Sequence, residues 1–194
     1  MANKVKFGLK NVYYALATET VGTSGTTTTY GSPVAFPGAV NLSVSASSDD
    51  NSVFRADDSD YYIVSGSSQG FDGSFECAYI PEGFETDVLG MVKDTNGVVC
   101  DLDSKTIKHV ALLFEINGDQ SARRYMLPKV LFSNPGIEAE TTGTDGNQPK
   151  TATLNFKASA RPDDGLARIH TGDTTATATY EGWFTSVYTP SYSG

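Results

Sequence analysis

Residues 151–159, TATLNFKAS, alternate without a break: Ala152, Leu154, Phe156 and Ala158 fall on one face, and Thr151, Thr153, Asn155, Lys157 and Ser159 on the other. A period of two belongs to a strand with one face in a core and the other in water or against a neighbour. The stretch before it, residues 136–149, carries a single large apolar residue, Ile137, among Thr, Gly, Asp, Asn and Pro. It has little to bury and is expected to project as an arm.

The same alternation recurs along the chain. Val5, Phe7 and Leu9 lead into residues 12–16 as an opening strand with room for a bulge, and Val40, Leu42, Val44 and Ala46 form another, as do residues 61–65 and 71–79. Residues 107–116 and 123–132 flank Asn117-Gly118, the strongest hairpin signal present. Residues 166–171 and 175–188 read as two more strands after the turn Pro162-Asp163-Asp164-Gly165. One helix is expected, over residues 81–93, where Phe84, Val88, Met91 and Val92 share a face, acids sit early, and Asn96-Gly97 closes the element. Residues 18–33, polar and Gly/Thr-rich, and the acidic residues 47–60 are expected to be long exposed loops. Roughly nine strands and one helix imply a mainly β chain, an antiparallel sandwich or barrel with one flanking helix.

Length and charge narrow the class. A chain of 194 residues, 39% hydrophobic, is expected to form one domain spanning residues 1–194, since all-β domains commonly reach this size undivided. Its formal charge of −9 disfavours binding to phosphate backbones. No apolar run suits a signal peptide or a membrane span, so synthesis in the cytosol is expected, with no membrane partner. Cys77 and Cys100 alternate with apolar neighbours and read as reduced core residues.

Motifs for chemistry are weak. Gly66-Ser67-Ser68-Gln69-Gly70 is a literal GxSxG match, but a nucleophile elbow needs a helix directly after the serine, and a strand-like run follows here. His109 and His170 lie in strand-like runs without metal-ligand spacing. The acidic segment supplies Asp49, Asp50, Asp57, Asp58 and Asp60 without the register of a calcium loop, and Asn41-Leu42-Ser43 means nothing without secretion. No phosphate-cradling or dinucleotide fingerprint occurs, so neither catalytic residue, metal nor cofactor is expected.

Five pieces together carry a family resemblance: FGLKNVYYA (7–15), PEGFETDVLG (81–90), RRYMLPKVLFSNPG (123–136), QPKTATLNFKA (148–158) and YEGWF (180–184). In their order and spacing the chain resembles the major tail protein of long, non-contractile-tailed phages of Gram-positive hosts. The Thr-rich residues 18–33 and the detailed acidic segment depart from that pattern. The resemblance implies a structural virion protein of the tail, made in the host cytoplasm. Its copies would form hexameric rings stacked into a tube around a tape-measure protein, ending at terminator and baseplate proteins. The tube would conduct genomic DNA without binding it specifically, which an acidic lumen favours by repulsion.

The residues themselves point to where copies would touch. Val53, Phe54 and Arg55, set among Asp49, Asp50, Asp57, Asp58 and Asp60, are expected to form contacts between rings, with Lys105, Lys108, Arg123 or Arg124 of the next ring as basic partners. The arm, with Ile137, Glu138, Glu140, Thr141, Asp145 and Asn147, is expected to order against a neighbouring subunit. The alternative is a glycan-binding or adhesin-like β-sandwich, with Tyr180, Trp183 and Tyr188 as its contact surface.

Overall fold

A computed structural model describes residues 3–23, 25–48, 52–56, 59–64, 68–137, 139 and 150–191. In chain order the strands are β1 (Lys6–Gly22), β2 (Gly25–Tyr30), β3 (Val34–Ala35), β4 (Ala39–Ser48), β5 (Ser52–Ala56), β6 (Ser59–Val64) and β7 (Ser68–Cys77). The helix α1 (Glu82–Asp87) follows, then β8 (Val92–Lys93), β9 (Val99–Cys100), β10 (Val110–Gly118), β11 (Arg123–Phe132), β12 (Ala152–Ser159), β13 (Ile169–His170), α2 (Thr177–Glu181) and a 3-10 turn (Gly182–Phe184). The protein is mainly β, and every ladder is antiparallel.

The main sheet runs β2-β1-β10-β11-β12-β7-β4, with β3 beside β1 and β13 beside β11. It is strongly curled. Val12 and Tyr14 of β1 share one packed cluster with Phe75 and Cys77 of β7, although those strands stand four ladders apart in the sheet. At about 4.8 Å per ladder a flat sheet would hold them nearly 20 Å apart. Curling follows from twist sharpened by bulges: β1 loses register with β10 between Lys6 and Leu9 and again between Lys10 and Tyr13, where Asn11 has a φ of 49°. The inner face closes around edge-to-face aromatic pairs, Phe84 on Tyr14, Phe36 and Phe132 at 5.0, 5.0 and 5.1 Å, and Phe36 on Phe75 at 4.9 Å. The expected alternation of residues 151–159 holds, with Leu154, Phe156 and Ala158 buried and their neighbours exposed.

Four expectations are corrected. Residues 18–33 are not a loop: β1 continues to Gly22 and pairs with β2 from Ala17↔Tyr30 to Gly22↔Gly25. Threonine is β-branched and favours a strand, so a Thr-rich hairpin forms where no apolar alternation announces it. The segment 47–60 is likewise strand for much of its length, with β4 reaching Ser48 and β5 pairing β6 from Ser52↔Val64 to Ala56↔Ser59. The helix expected over 81–93 stops at Asp87. Gly90 turns the chain at a φ of +74°, and a Cβ there would sit 2.5 Å from the Thr106 carbonyl oxygen, so the backbone crosses too closely for a helix to go on. Lastly, residues 175–188 are not a strand but α2 and the 3-10 turn, and within 166–171 only Ile169–His170 pairs as strand. Tyr180, Trp183 and Phe184, spaced i, i+3 and i+4, share one face of that turn, and burying this face outweighs the Thr-Ala alternation before it.

Cys77 lies in the core, as expected; its Sγ is 3.5 Å from the Ala152 oxygen, and burial beside the Glu76 charge pushes its thiol up to about 11. Cys100 does not. It sits half-buried on β9, a two-stranded ladder detached from the main sheet.

Phe84 is the hub of the inner core, touching strands from both halves of the curl. Phe84→Ala is expected to lower unfolding stability by about 3–5 kcal/mol. Urea titration followed by tryptophan fluorescence measures it, and a loss below about 1 kcal/mol contradicts the hub.

Candidate assembly surfaces

The second layer of the fold is built from the C-terminal segment. On the outer face of β1, β10 and β11, Ala15, Ala111, Leu113 and Met126 are covered by Trp183, with Tyr13, Ile169, Phe184 and Val187 around them. Arg124 fastens this layer. Its Nε donates to Glu115 Oε2 at 2.8 Å, a second nitrogen donates to the Tyr180 carbonyl, and its guanidinium lies over the rings of Tyr180 and Phe184 at 3.9 and 5.0 Å. Asn11 donates to the other Glu115 oxygen at 3.3 Å, so the buried carboxylate is satisfied from both sides. The aromatic residues of the alternative binding surface are held here: Trp183 is buried, its Nε1 donates to the Tyr125 oxygen at 3.4 Å, and Tyr188 stacks on it at 5.8 Å.

A second polar knot ties the β1–β2 hairpin to the turn after β12. Buried Arg161 donates to both oxygens of Asp164 at 2.7 and 2.5 Å and lies 3.0 Å from Asp163, whose other oxygen accepts the Thr28 amide at 3.3 Å. The Arg161 side chain holds the Asp164 carboxyl below the ordinary carboxylate range.

These knots remove basic groups expected at a ring interface. Arg124 is spent on Glu115, Arg123 pairs with Asp173 at 3.2 Å, and Lys105 lies 2.5 Å from Asp101 with its side chain largely buried. Lys108 alone of the four is without an ion pair among the described residues.

Val53, Phe54 and Arg55 lie on β5, and Asp60, opposite Arg55, on β6; the pair forms its own two-stranded sheet. Asp49, Asp50, Asp57 and Asp58 lie outside the described residues. Ile137, just past β11, is 99% exposed. Glu138, Glu140, Thr141, Asp145 and Asn147 also lie outside the described residues. Ser68 opens β7, so a strand follows the GxSxG match where an elbow would need a helix. His109 is half-buried, its pKa lowered by burial and by Lys129, and the His170 ring lies 5.4 Å from Tyr125. Among the described residues no His/Cys/Asp/Glu cluster is arranged to hold a metal ion, and no helix is long and apolar enough to cross a membrane.

One feature was not anticipated. Where the curl brings the start of β1 opposite β4, the sheet does not close, and a groove of about 640 Å³ remains. Its floor is apolar, with Leu9, Leu42, Phe114, Ile116 and Leu127, while Lys6 and Arg168 bring the charge. Among the described residues no Asp or Glu lines it. The sequence held one faint sign, Arg168 and His170 two apart and so on one face of a strand, though nothing local reveals that β1 and β4 meet.

The chain matches no protein-family profile and no curated protein sequence.

Arg124→Ala is expected to cost about 3–5 kcal/mol, because it leaves Glu115 charged and buried. Lys93→Ala, which breaks the half-exposed pair with Glu82, should cost under about 1 kcal/mol in the same denaturant titration; equal costs would contradict this difference. For Asp164 the lowered folded pKa means a contribution that is full above the unfolded value of about 3.9 and lost as pH falls through the folded one. Asp164→Asn is therefore expected to flatten the fall in melting temperature below about pH 4. An acid limb as steep as wild type would show that the Arg161 knot does not set it.

Proposed function

We propose that this chain is a structural tube protein of a phage tail, assembling into hexameric rings that stack into a conduit for the genome. The observation that carries the reading is the pair of free edges on one sheet. Among the described residues β2 pairs only with β1 and β4 only with β7, so the sheet ends in two different unpaired strands. Exposed edges are a liability unless something covers them. Two unlike edges on one subunit join head to tail, and a head-to-tail contact that rotates closes into a ring, which abolishes the edges altogether. Strict alternation, a polar hairpin, and projecting residues past β11 supply the rest of what such a subunit needs. The sequence resemblance to major tail proteins points the same way.

Stacking falls to the β5–β6 hairpin. It is a two-stranded ladder standing apart from the main sheet, and such ladders are marginal by themselves, so contact with a second ring would stabilise it. The acidic balance of −9 per chain suits a lumen that must let DNA slide without sticking.

Negative-stain imaging of concentrated protein tests the reading, with rings or tubes as the expected result and monodisperse globules as the outcome against it. Phe54→Ala combined with Arg55→Glu is expected to leave rings that do not stack, with a melting temperature within a few degrees of wild type, because the β5–β6 ladder is not paired with the main sheet. Tubes of normal length from this double variant would take the hairpin out of the ring contact.

A further inference from the structure

We propose that the groove between β1 and β4 is the seat for residues 137–141, Ile-Glu-Ala-Glu-Thr, of a neighbouring copy. The proposal rests on the tube reading and gives its lateral contact a site.

Three features of the groove select an extended acidic segment. Its walls are backbone edges: β1 pairs with β3 at Tyr13 and Tyr14 and Val12 accepts the Phe36 amide, leaving residues 6–11 open among the described residues on the side away from β10, and β4 is open on the side away from β7. Free edges facing one another accept a strand. Its floor is apolar, and Phe7 and Val40 at its rim are 62% and 52% exposed, far more than such side chains need to be. Its charge is positive in a chain that carries −9 overall, and neither Lys6 nor Arg168 has an ion-pair partner among the described residues.

The segment 137–141 complements each feature. Its alternation puts Ile137 and Ala139 on one face and Glu138 and Glu140 on the other, so a strand laid in the groove turns aliphatic groups to the floor and carboxylates to the basic rim. Ile137, at 99%, is the most exposed large apolar side chain among the described residues. The acidic hairpin is the weaker occupant, since Arg55 would bring a cation to a basic site.

Cross-linking tests the seat directly. In a Cys100→Ser background, Phe7→Cys and Ile137→Cys are placed in one chain and the protein is oxidised mildly at assembling concentration. A ladder of disulfide-linked multimers on a non-reducing gel is the expected result, with neither single variant giving it. A monomer closed on itself, or no bond, overturns the seat. In parallel, Lys6→Glu with Arg168→Glu should raise the concentration needed for ring formation at least tenfold, and adding Glu138→Lys with Glu140→Lys should restore it. Restoration by reversing Asp57 and Asp58 instead would assign the groove to the hairpin and overturn the proposal. Wild-type rings without the cross-link remove the seat but leave the tube reading standing. Cross-linked multimers from a protein that never forms rings keep the seat and remove the tube.

Discussion

A strand buried on both faces cannot end a structure; it requires a layer on each side. In β10 every residue from Val110 to Glu115 is buried, so Leu112 and Phe114 point into the curled sheet while Ala111, Leu113 and Glu115 point out of it. The inner side chains draw β7, β12 and α1 around them. The outer ones demand cover, and the C-terminal segment supplies it. Trp183 and Phe184 give that segment its apolar area, but Glu115 sets its position, because a carboxylate in this place must be met by a cation with fixed geometry. Arg124, two strands' width of contacts in one side chain, satisfies the carboxylate, accepts two aromatic rings over its plane and bonds the α2 backbone.

The same curl that makes the inner core leaves the groove. Rings stack edge to face at one end of the barrel-like space, with Phe36, Phe75, Phe84 and Phe132 in contact. At the other end, Lys6 to Leu9 face Val40 to Val44 across a gap without a ladder between them. A sixth antiparallel ladder there would close a barrel and eliminate β4 as an edge. The chain instead bulges β1 twice over this stretch, where it stays paired with β10 but shifts register between Lys6 and Leu9 and between Lys10 and Tyr13. Closure is thereby withheld within the subunit, while the hydrogen-bonding groups that would make it remain on both sides.

What was legible in the sequence was whatever depends on neighbours one or two residues away. The faces of β12, the hairpin at Asn117-Gly118, the burial of Cys77 and the burial of Phe84 on α1 all follow from local spacing. The misread elements fail for two physical reasons. The Thr-rich β2 and the five-residue β5 carry no hydrophobic period, so β-branched residues and cross-strand pairing decide them. In residues 175–188 the spacing was ambiguous, and tertiary burial against Met126 and Leu113 chose the helical option. The groove was illegible altogether, because it joins residues 6–9, 40–44, 114–127 and 168–170, which only the curl brings together.

Charge follows the same division between local and long-range. Arginines 123, 124 and 161 are each paired with a carboxylate within the chain, where they fasten the outer layer and the hairpin root. Pairs of this kind are worth most when desolvated, and once formed they contribute little field outside. Each pair cancels a positive against a negative charge, so the balance left outside stays acidic, with Lys6 and Arg168 a local exception at the groove. Uniformly acidic copies repel one another over roughly a Debye length, about 10 Å at 0.1 M salt. An attractive contact must overcome that repulsion at short range, and a basic groove lined with apolar side chains is suited to do so, since desolvation strengthens its charge pairs as it buries Ile137-like aliphatic area. Under the proposed seat, the basic groove of one copy and Glu138 and Glu140 of the next would also set the direction of assembly: two grooves would repel, two acidic segments would repel, and head-to-tail contact would bring opposite signs together.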